Sequence, residues 1–242
     1  DIHTDAPVVD IGPGPDSSKR LAVSVADGAS IAADAVVNAA GPWAGEVAAM
    51  AGAELGMRPT RGVMVAVDYA GLEPVLNRCR EPDDGDIVVP HGTQAVLGTT
   101  SVAVDDPDAF DREDWEVERT VSECAAMLPA LADAAVDRTY WGLRPLYEPD
   151  ELDREGRGIS RDFAIVDHDA APGLVSVVGG KLTTYRRMAE AVTDRVCGEL
   201  GVDEPCRTAE EPLPGADDPG RLDQLAREFS AIGPADSDVV RK

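Results

Sequence analysis

The sequence predicts a mixed α/β (α+β) fold, and two observations predict it. Residues 35–39 and 175–178 are short β-branched runs that each stop at glycine, at Gly41 and at the Gly179-Gly180 pair, ahead of a helical pattern. Between them, residues 58–146 hold short strands with hairpin-like breaks and one amphipathic helix, the pattern of an antiparallel sheet inserted into an α/β unit. The expected divisions are 1–57 and 147–204 for the α/β part, 58–146 for the sheet part, and 205–242 for a proline-rich linker that opens a further domain.

Taken in order, residues 1–20 are polar, and Gly12-Pro13-Gly14-Pro15 reads as a loop. Nothing there matches the Gly-x-Gly-x-x-Gly of a dinucleotide fingerprint. Residues 21–25 alternate apolar and polar, and Ala26-Asp27-Gly28-Ala29 turns them back toward Ile31 as a hairpin. Pro42 suits a helix start, with Trp43, Val47, Ala48 and Ala51 on one face and Gly52 and Gly56 closing it. Strands are expected at 62–68, 87–90 and 94–100. A helix follows over 112–128, with Trp115, Val117, Val121, Cys124, Ala125 and Leu128 as its apolar side and Asp108 and Asp111 as capping candidates. Residues 137–146 form a strand carrying Tyr140, Trp141 and Arg144, and 148–160 a charged loop. Strands at 163–166 and 174–178 flank a turn at Ala171-Pro172-Gly173. A long helix then begins at Thr183 or Thr184 and carries Met188, Ala191, Val192 and Val196 on one side. Leu222, Leu225, Ala226 and Phe229 make a last short amphipathic stretch.

Asp and Glu number 46 against 22 Lys and Arg, a net charge of −24, and the lysines are Lys19, Lys181 and Lys242 alone. Such a surface repels nucleic acid and anionic membrane, and it repels itself unless salt screens it. The charge is spread along the whole chain, as expected of a halophilic, haloarchaeal cytoplasm. No apolar run approaches the ~20 residues of a membrane span, and no basic-then-apolar leader opens the chain. Cys79, Cys124, Cys197 and Cys206 form no Cys-x-x-Cys pair, and His3, His91 and His168 complete no ligand spacing, so no metal site is expected.

Gly179 and Gly180 allow a ligand close to the backbone, a following helix N-terminus favours an anion, and Lys181 adds a full charge there. Arg144 and Arg161 are suited to a phosphate, because a guanidinium donates two hydrogen bonds at once. Each of these cations reads equally as a surface ion pair on so acidic a chain.

The string Gly179-Gly180-Lys181-Leu182-Thr183-Thr184-Tyr185-Arg186 resembles the C-terminal flavin-site motif of FAD-dependent glycerol-3-phosphate dehydrogenases, within the superfamily of D-amino-acid oxidase-like flavoproteins. Asn38-Ala39-Ala40-Gly41-Pro42-Trp43-Ala44, Trp141-Gly142-Leu143-Arg144-Pro145-Leu146 and Ser160-Arg161-Asp162-Phe163 resemble further elements of that family in the same order. Pro59-Thr60-Arg61-Gly62 and Gly98-Thr99-Thr100 fit as well, and the resemblance covers residues 1–208.

The resemblance implies an incomplete Rossmann-like FAD domain joined to an antiparallel-sheet substrate domain. It implies FAD held by Ala40, Gly41, Trp43, Gly179, Gly180, Lys181, Leu182, Thr183 and Thr184. Arg144, Lys181 and Arg161 fall at the catalytic centre. The implied reaction oxidises sn-glycerol 3-phosphate to dihydroxyacetone phosphate and passes electrons to a quinone, with electron-transfer and membrane-anchor subunits as partners. The location implied is the cytoplasm, or the inner face of the cell membrane. The family's fingerprint lies near its N-terminus, so an FAD-binding segment of the same polypeptide is expected to precede Asp1, and this stretch alone is expected to be inactive. One departure stands out: Arg61-Gly62-Val63-Met64-Val65-Ala66-Val67 lacks the histidine that many members place there as a base, and His91 does not take that role. The alternatives are an amino-acid or 2-hydroxy-acid oxidase of the same superfamily, with Arg144 on a carboxylate, or a non-catalytic binding module.

Overall fold

A computed structural model describes residues 1–16, 19–147, 162–213, 218, 220–221, 224–225 and 227–228. The chain divides into two compact units, Asp1–Leu182 and Thr183–Lys242.

The first unit opens with an antiparallel meander of β1 (Val8–Asp16), β2 (Lys19–Val25) and β3 (Ser30–Ala33). Gly12-Pro13-Gly14-Pro15 therefore lies inside a strand, not in a loop. Proline cannot donate to a ladder, but β1 is an edge strand with a partner on one side only, and there it is tolerated. Ile11 on β1 and Leu21 on β2 are buried in a core with Ala48, Ala53, Ala171 and Leu174. The hairpin between β2 and β3 stands where the sequence predicts it: Gly28 adopts φ 91° and the Asp27 carboxylate accepts from the Ala29 amide at 2.9 Å.

β4 (Val36–Asn38) leads into the 3₁₀ turn Gly41–Trp43 and then α1 (Ala44–Met50), which buries Ala44 and Ala48. Next come β5 (Thr60–Asp68), β6 (Leu76–Asn77), β7 (Ile87–His91), β8 (Gln94–Gly98), β9 (Val102–Ala103) and β10 (Val136–Arg144). These form an antiparallel sheet in the order β10-β5-β8-β7-β6, with β9 also on β5. Val63, Val65 and Val67 lie on one face of β5, by the period-2 rule, and enter a core with Leu97, Cys124 and Leu131.

Covering that face is α2 (Asp114–Met127), whose buried residues are Glu116, Thr120 and Cys124. The expected apolar side is therefore rotated: Trp115 is 45% exposed, whereas Val117, Val121, Ala125 and Leu128 pack around the core edge. The rotation follows from Arg61 on β5, which draws the Glu116 carboxylate beneath the helix. The expected caps do not form either. Glu113 is the N-cap residue, with no side-chain bond, and Asp108 accepts instead from the Trp43 indole.

β11 (Phe163–Asp167) and β12 (Leu174–Gly179) pair antiparallel, and β12 pairs in parallel with β4. In the second unit, α3 (Tyr185–Leu200) ends at Gly201 with φ 70° and carries the ion pairs Arg186–Glu190 at 2.7 Å and Arg195–Glu199 at 2.9 Å. Thr184 is its N-cap residue but makes no capping bond. Its ψ of 2° is not the extended conformation that folds a hydroxyl back onto the first turn, and Oγ1 instead donates to the Met188 sulfur at 3.5 Å. The loop over 148–160 and Leu222, Ala226 and Phe229 lie outside the described residues. No described helix is long and apolar enough to cross a membrane.

Candidate active site

Two chain segments 138 positions apart meet where β4 and β12 run in parallel, Leu174 beside Val36 and Ser176 beside Asn38. Both strands end in glycine turns. Gly41 adopts φ 61°, and Gly179 and Gly180 adopt 76° and 75°, a region closed to most side chains. Both glycine turns follow the carboxyl ends of this parallel pair, where open α/β sheets receive their ligands. A Cβ on Gly41 would meet no protein atom within 4 Å, so a side chain there would stand in the space outside the turn. The backbone is thus open to close approach at Gly41, whereas at Gly179 the matching space holds the Asp162 carbonyl, 2.7 Å from where a Cβ would stand.

A buried polar chain holds the turn. The Asn38 amide donates to the Ala44 carbonyl at 2.8 Å and to Ser176 Oγ at 3.0 Å, while Asn38 Oδ1 accepts from the Ala40 amide at 3.2 Å. Ser176 Oγ lies 2.8 Å from His168 Nε2. Ser176 Oγ carries two lone pairs and one proton, so it accepts from Asn38 and also pairs with Nε2, the donor of that second bond being set by the imidazole tautomer. Burial pushes the His168 pKa down against the opposing charge of Asp167.

Arg144 ends β10 on the sheet face opposite α2, with Gly142 and Tyr140 on its side and Trp141 and Leu143 on the other. Its Nη2 donates to Thr99 Oγ1 at 3.0 Å, and Nη1 reaches the Arg61 carbonyl at 3.5 Å. Gly62 gives the guanidinium its room: a Cβ there would come within 2.6 Å of both terminal nitrogens. The 3₁₀ turn Gly41–Trp43 packs against both β12 and β10, so the glycine turn and the arginine strand are neighbours in one unit. Trp43 Nε1 donates to Asp108 at 3.0 Å and ties that turn to the segment before α2.

Lys181 and Leu182 are exposed and close the first unit, whereas Thr183 and Thr184 open the second. Arg161 lies outside the described residues. Gly62 and Thr99 border Arg144, and strand register brings their segments together; Glu116 lies on the other face of the sheet, on Arg61 and Thr100.

A family model described as FAD dependent oxidoreductase matches residues 1–186. The chain belongs to this family of FAD-dependent oxidoreductases. Its fold is that of the family's solved members. The glycerol-3-phosphate dehydrogenase of Bacillus halodurans, complexed with FAD, superposes with a TM-score of 0.72 at 30% identity over 98% of this chain and 48% of its own. A glycine oxidase from Geobacillus kaustophilus, at 23% identity and a TM-score of 0.59 over 84% of this chain and 50% of its own, shares the fold. Among curated proteins, a subunit of the anaerobic glycerol-3-phosphate dehydrogenase of Haloferax volcanii is 49% identical over 208 residues, 84% of this chain and 36% of its own length. Its counterpart from the anaerobic glycerol-3-phosphate dehydrogenase of Escherichia coli K12 is 40% identical over 195 residues, 78% and 36% respectively. The chain thus spans about a third of the length of the curated relatives it matches.

Proposed function

We propose that this chain is part of an FAD-dependent glycerol-3-phosphate dehydrogenase, which oxidises sn-glycerol 3-phosphate to dihydroxyacetone phosphate and delivers the electrons to a quinone. The observation that carries the reading is the packing of the 3₁₀ turn Gly41–Trp43 between β12, with its glycine end, and β10, with Arg144. It supports a reading in which a bed for a dinucleotide and a bidentate anion clamp belong to adjacent elements.

Ala40, Gly41, Trp43, Gly179, Gly180, Lys181, Leu182, Thr183 and Thr184 are the residues assigned to FAD. When bound, FAD supplies the acceptor for the hydride that leaves the substrate's carbinol carbon. Arg144 grips the substrate phosphate with its fork, presented from a rigid strand end, and Arg161 and Lys181 add positive charge. Gly62 keeps the guanidinium low on the sheet, so that the phosphate is bound where the strand holds it. The α/β part over 1–57 and 147–204 and the sheet part over 58–146 then act as cofactor and substrate domains. The acidic surface suits a halophilic cytoplasm, and a quinone acceptor calls for electron-transfer and anchoring subunits at the inner face of the membrane.

The test is anaerobic reduction of the full-length polypeptide's flavin. Bleaching of the oxidised flavin band by sn-glycerol 3-phosphate, but not by glycerol, glycine or a 2-hydroxy acid, is expected. Reduction by an amino acid or a 2-hydroxy acid in preference would overturn the substrate assignment.

A further inference from the structure

We infer that Glu116 is a positioning residue for Arg144, acting from the opposite face of the sheet through Arg61 and Thr100. The inference rests on the reading of Arg144 as the substrate's phosphate clamp.

Glu116 is a fully buried carboxylate on α2. One oxygen accepts from Arg61 Nε at 2.8 Å and the other from Thr100 Oγ1 at 2.6 Å. Thr100 Oγ1 in turn accepts from the Val63 amide at 3.1 Å. The carboxylate therefore fastens two segments to each other, β5 at Arg61 and the segment after β8 at Thr100. Arg144 bonds to the same two segments from the other face, through the Arg61 carbonyl and the Thr99 hydroxyl. Its two anchors sit on, or next to, the two residues that Glu116 holds. A rigid guanidinium fork spans both only while their separation is kept.

A buried ion pair is a weak way to gain stability, since apolar replacements of equal volume often do as well. What the pair supplies here is geometry. The Thr100 hydroxyl is the joint, with Glu116 on one side and the backbone leading to Thr99 on the other. Thr99 Oγ1 also lies 3.3 Å from the Thr100 carbonyl, which couples the two threonines directly.

The experiment uses the full-length holoenzyme, with steady-state kinetics on sn-glycerol 3-phosphate and calorimetric binding of inorganic phosphate. Glu116→Gln and Thr100→Val are expected to raise KM roughly fivefold or more while kcat stays within about twofold, and to weaken phosphate binding in parallel. Thr100→Ser, which keeps the hydroxyl, is expected to retain the parental KM. In an Arg144→Met background, Thr100→Val is expected to add nothing further, as coupled residues should behave. If Glu116→Gln fails to fold, the Thr100→Val and Thr100→Ser pair decides. A folded Thr100→Val enzyme with parental KM and phosphate affinity, beside an Arg144→Met enzyme whose KM is raised, would overturn the inference alone. A fall in kcat and thermal stability with KM unmoved would assign Glu116 a purely structural role and overturn it too. An Arg144→Met enzyme with unchanged KM would overturn the clamp reading itself, and this inference with it.

Discussion

The Arg144 guanidinium lies over the Cα of Gly62, so close that a Cβ at that glycine would stand 2.6 Å from both of its terminal nitrogens and 2.5 Å from the Thr100 carbonyl. The contact with Arg144 involves a side-chain end that can swing away, but the contact with Thr100 involves backbone. Gly62→Ala must therefore displace the arginine and also shift backbone at Gly62 or in the β8–β9 segment. We expect it to raise KM for sn-glycerol 3-phosphate in the full-length enzyme and to cost about 1–3 kcal/mol of stability, the range for overpacking. Steady-state kinetics with denaturant unfolding checks both. Parental KM and stability together would show that the clearance has no role.

Arg144→Lys keeps the charge but not the fork, and one ammonium cannot bond to Thr99 and a phosphate with the same geometry. Loss of a charge-assisted contact on the order of 1.5–3 kcal/mol predicts roughly a ten- to hundredfold drop in kcat/KM. Arg144→Lys is expected to recover only part of the loss seen with Arg144→Met. Lys181→Met should lower catalytic efficiency by a similar factor and also shift the flavin's reduction behaviour, which spectroelectrochemistry reads. Wild-type kinetics in both Met variants would make these side chains ordinary surface cations.

With a net charge of −24, the chain's self-repulsion is strong in dilute buffer and screened to a few ångströms in molar salt. The melting temperature is expected to rise from low-salt buffer to molar KCl. A flat or falling trend would remove the halophilic reading of the surface.

His168 sits behind Ser176 with its pKa pushed down by burial. The unfolded chain, with an imidazole near 6.5, then takes up a proton before the folded protein does. The stability contributed by the neutral imidazole is present above that value and is lost as pH falls toward the depressed folded one. The difference in unfolding free energy between parent and His168→Gln should therefore shrink on acidification from about pH 7. If that difference is independent of pH across this range, His168 does not titrate as its surroundings dictate.

Strands and helices were legible where pattern and position agree. The β2–β3 hairpin, the parallel-ready runs of β4 and β12, and the helix following Gly179-Gly180 all stand close to where residue type and period set them. β1 was missed because glycine and proline mark turns by default, and only its place at the sheet edge makes Pro13 and Pro15 acceptable there.

Composition and local order alone determined the mixed α/β fold, the acidic surface and the glycine turns at Gly41 and Gly179, because these depend on near neighbours and on sums over the chain. Tertiary structure alone decided that β4 lies beside β12 and that the Gly41–Trp43 turn reaches β10. It also decided that α2 turns Glu116 inward rather than Trp115. The physical reason is that helical period locates an apolar stripe only to within a residue or so. A buried charge overrides that stripe when a partner such as Arg61 waits on a strand 55 positions away, and strand register, not spacing along the chain, puts the partner there.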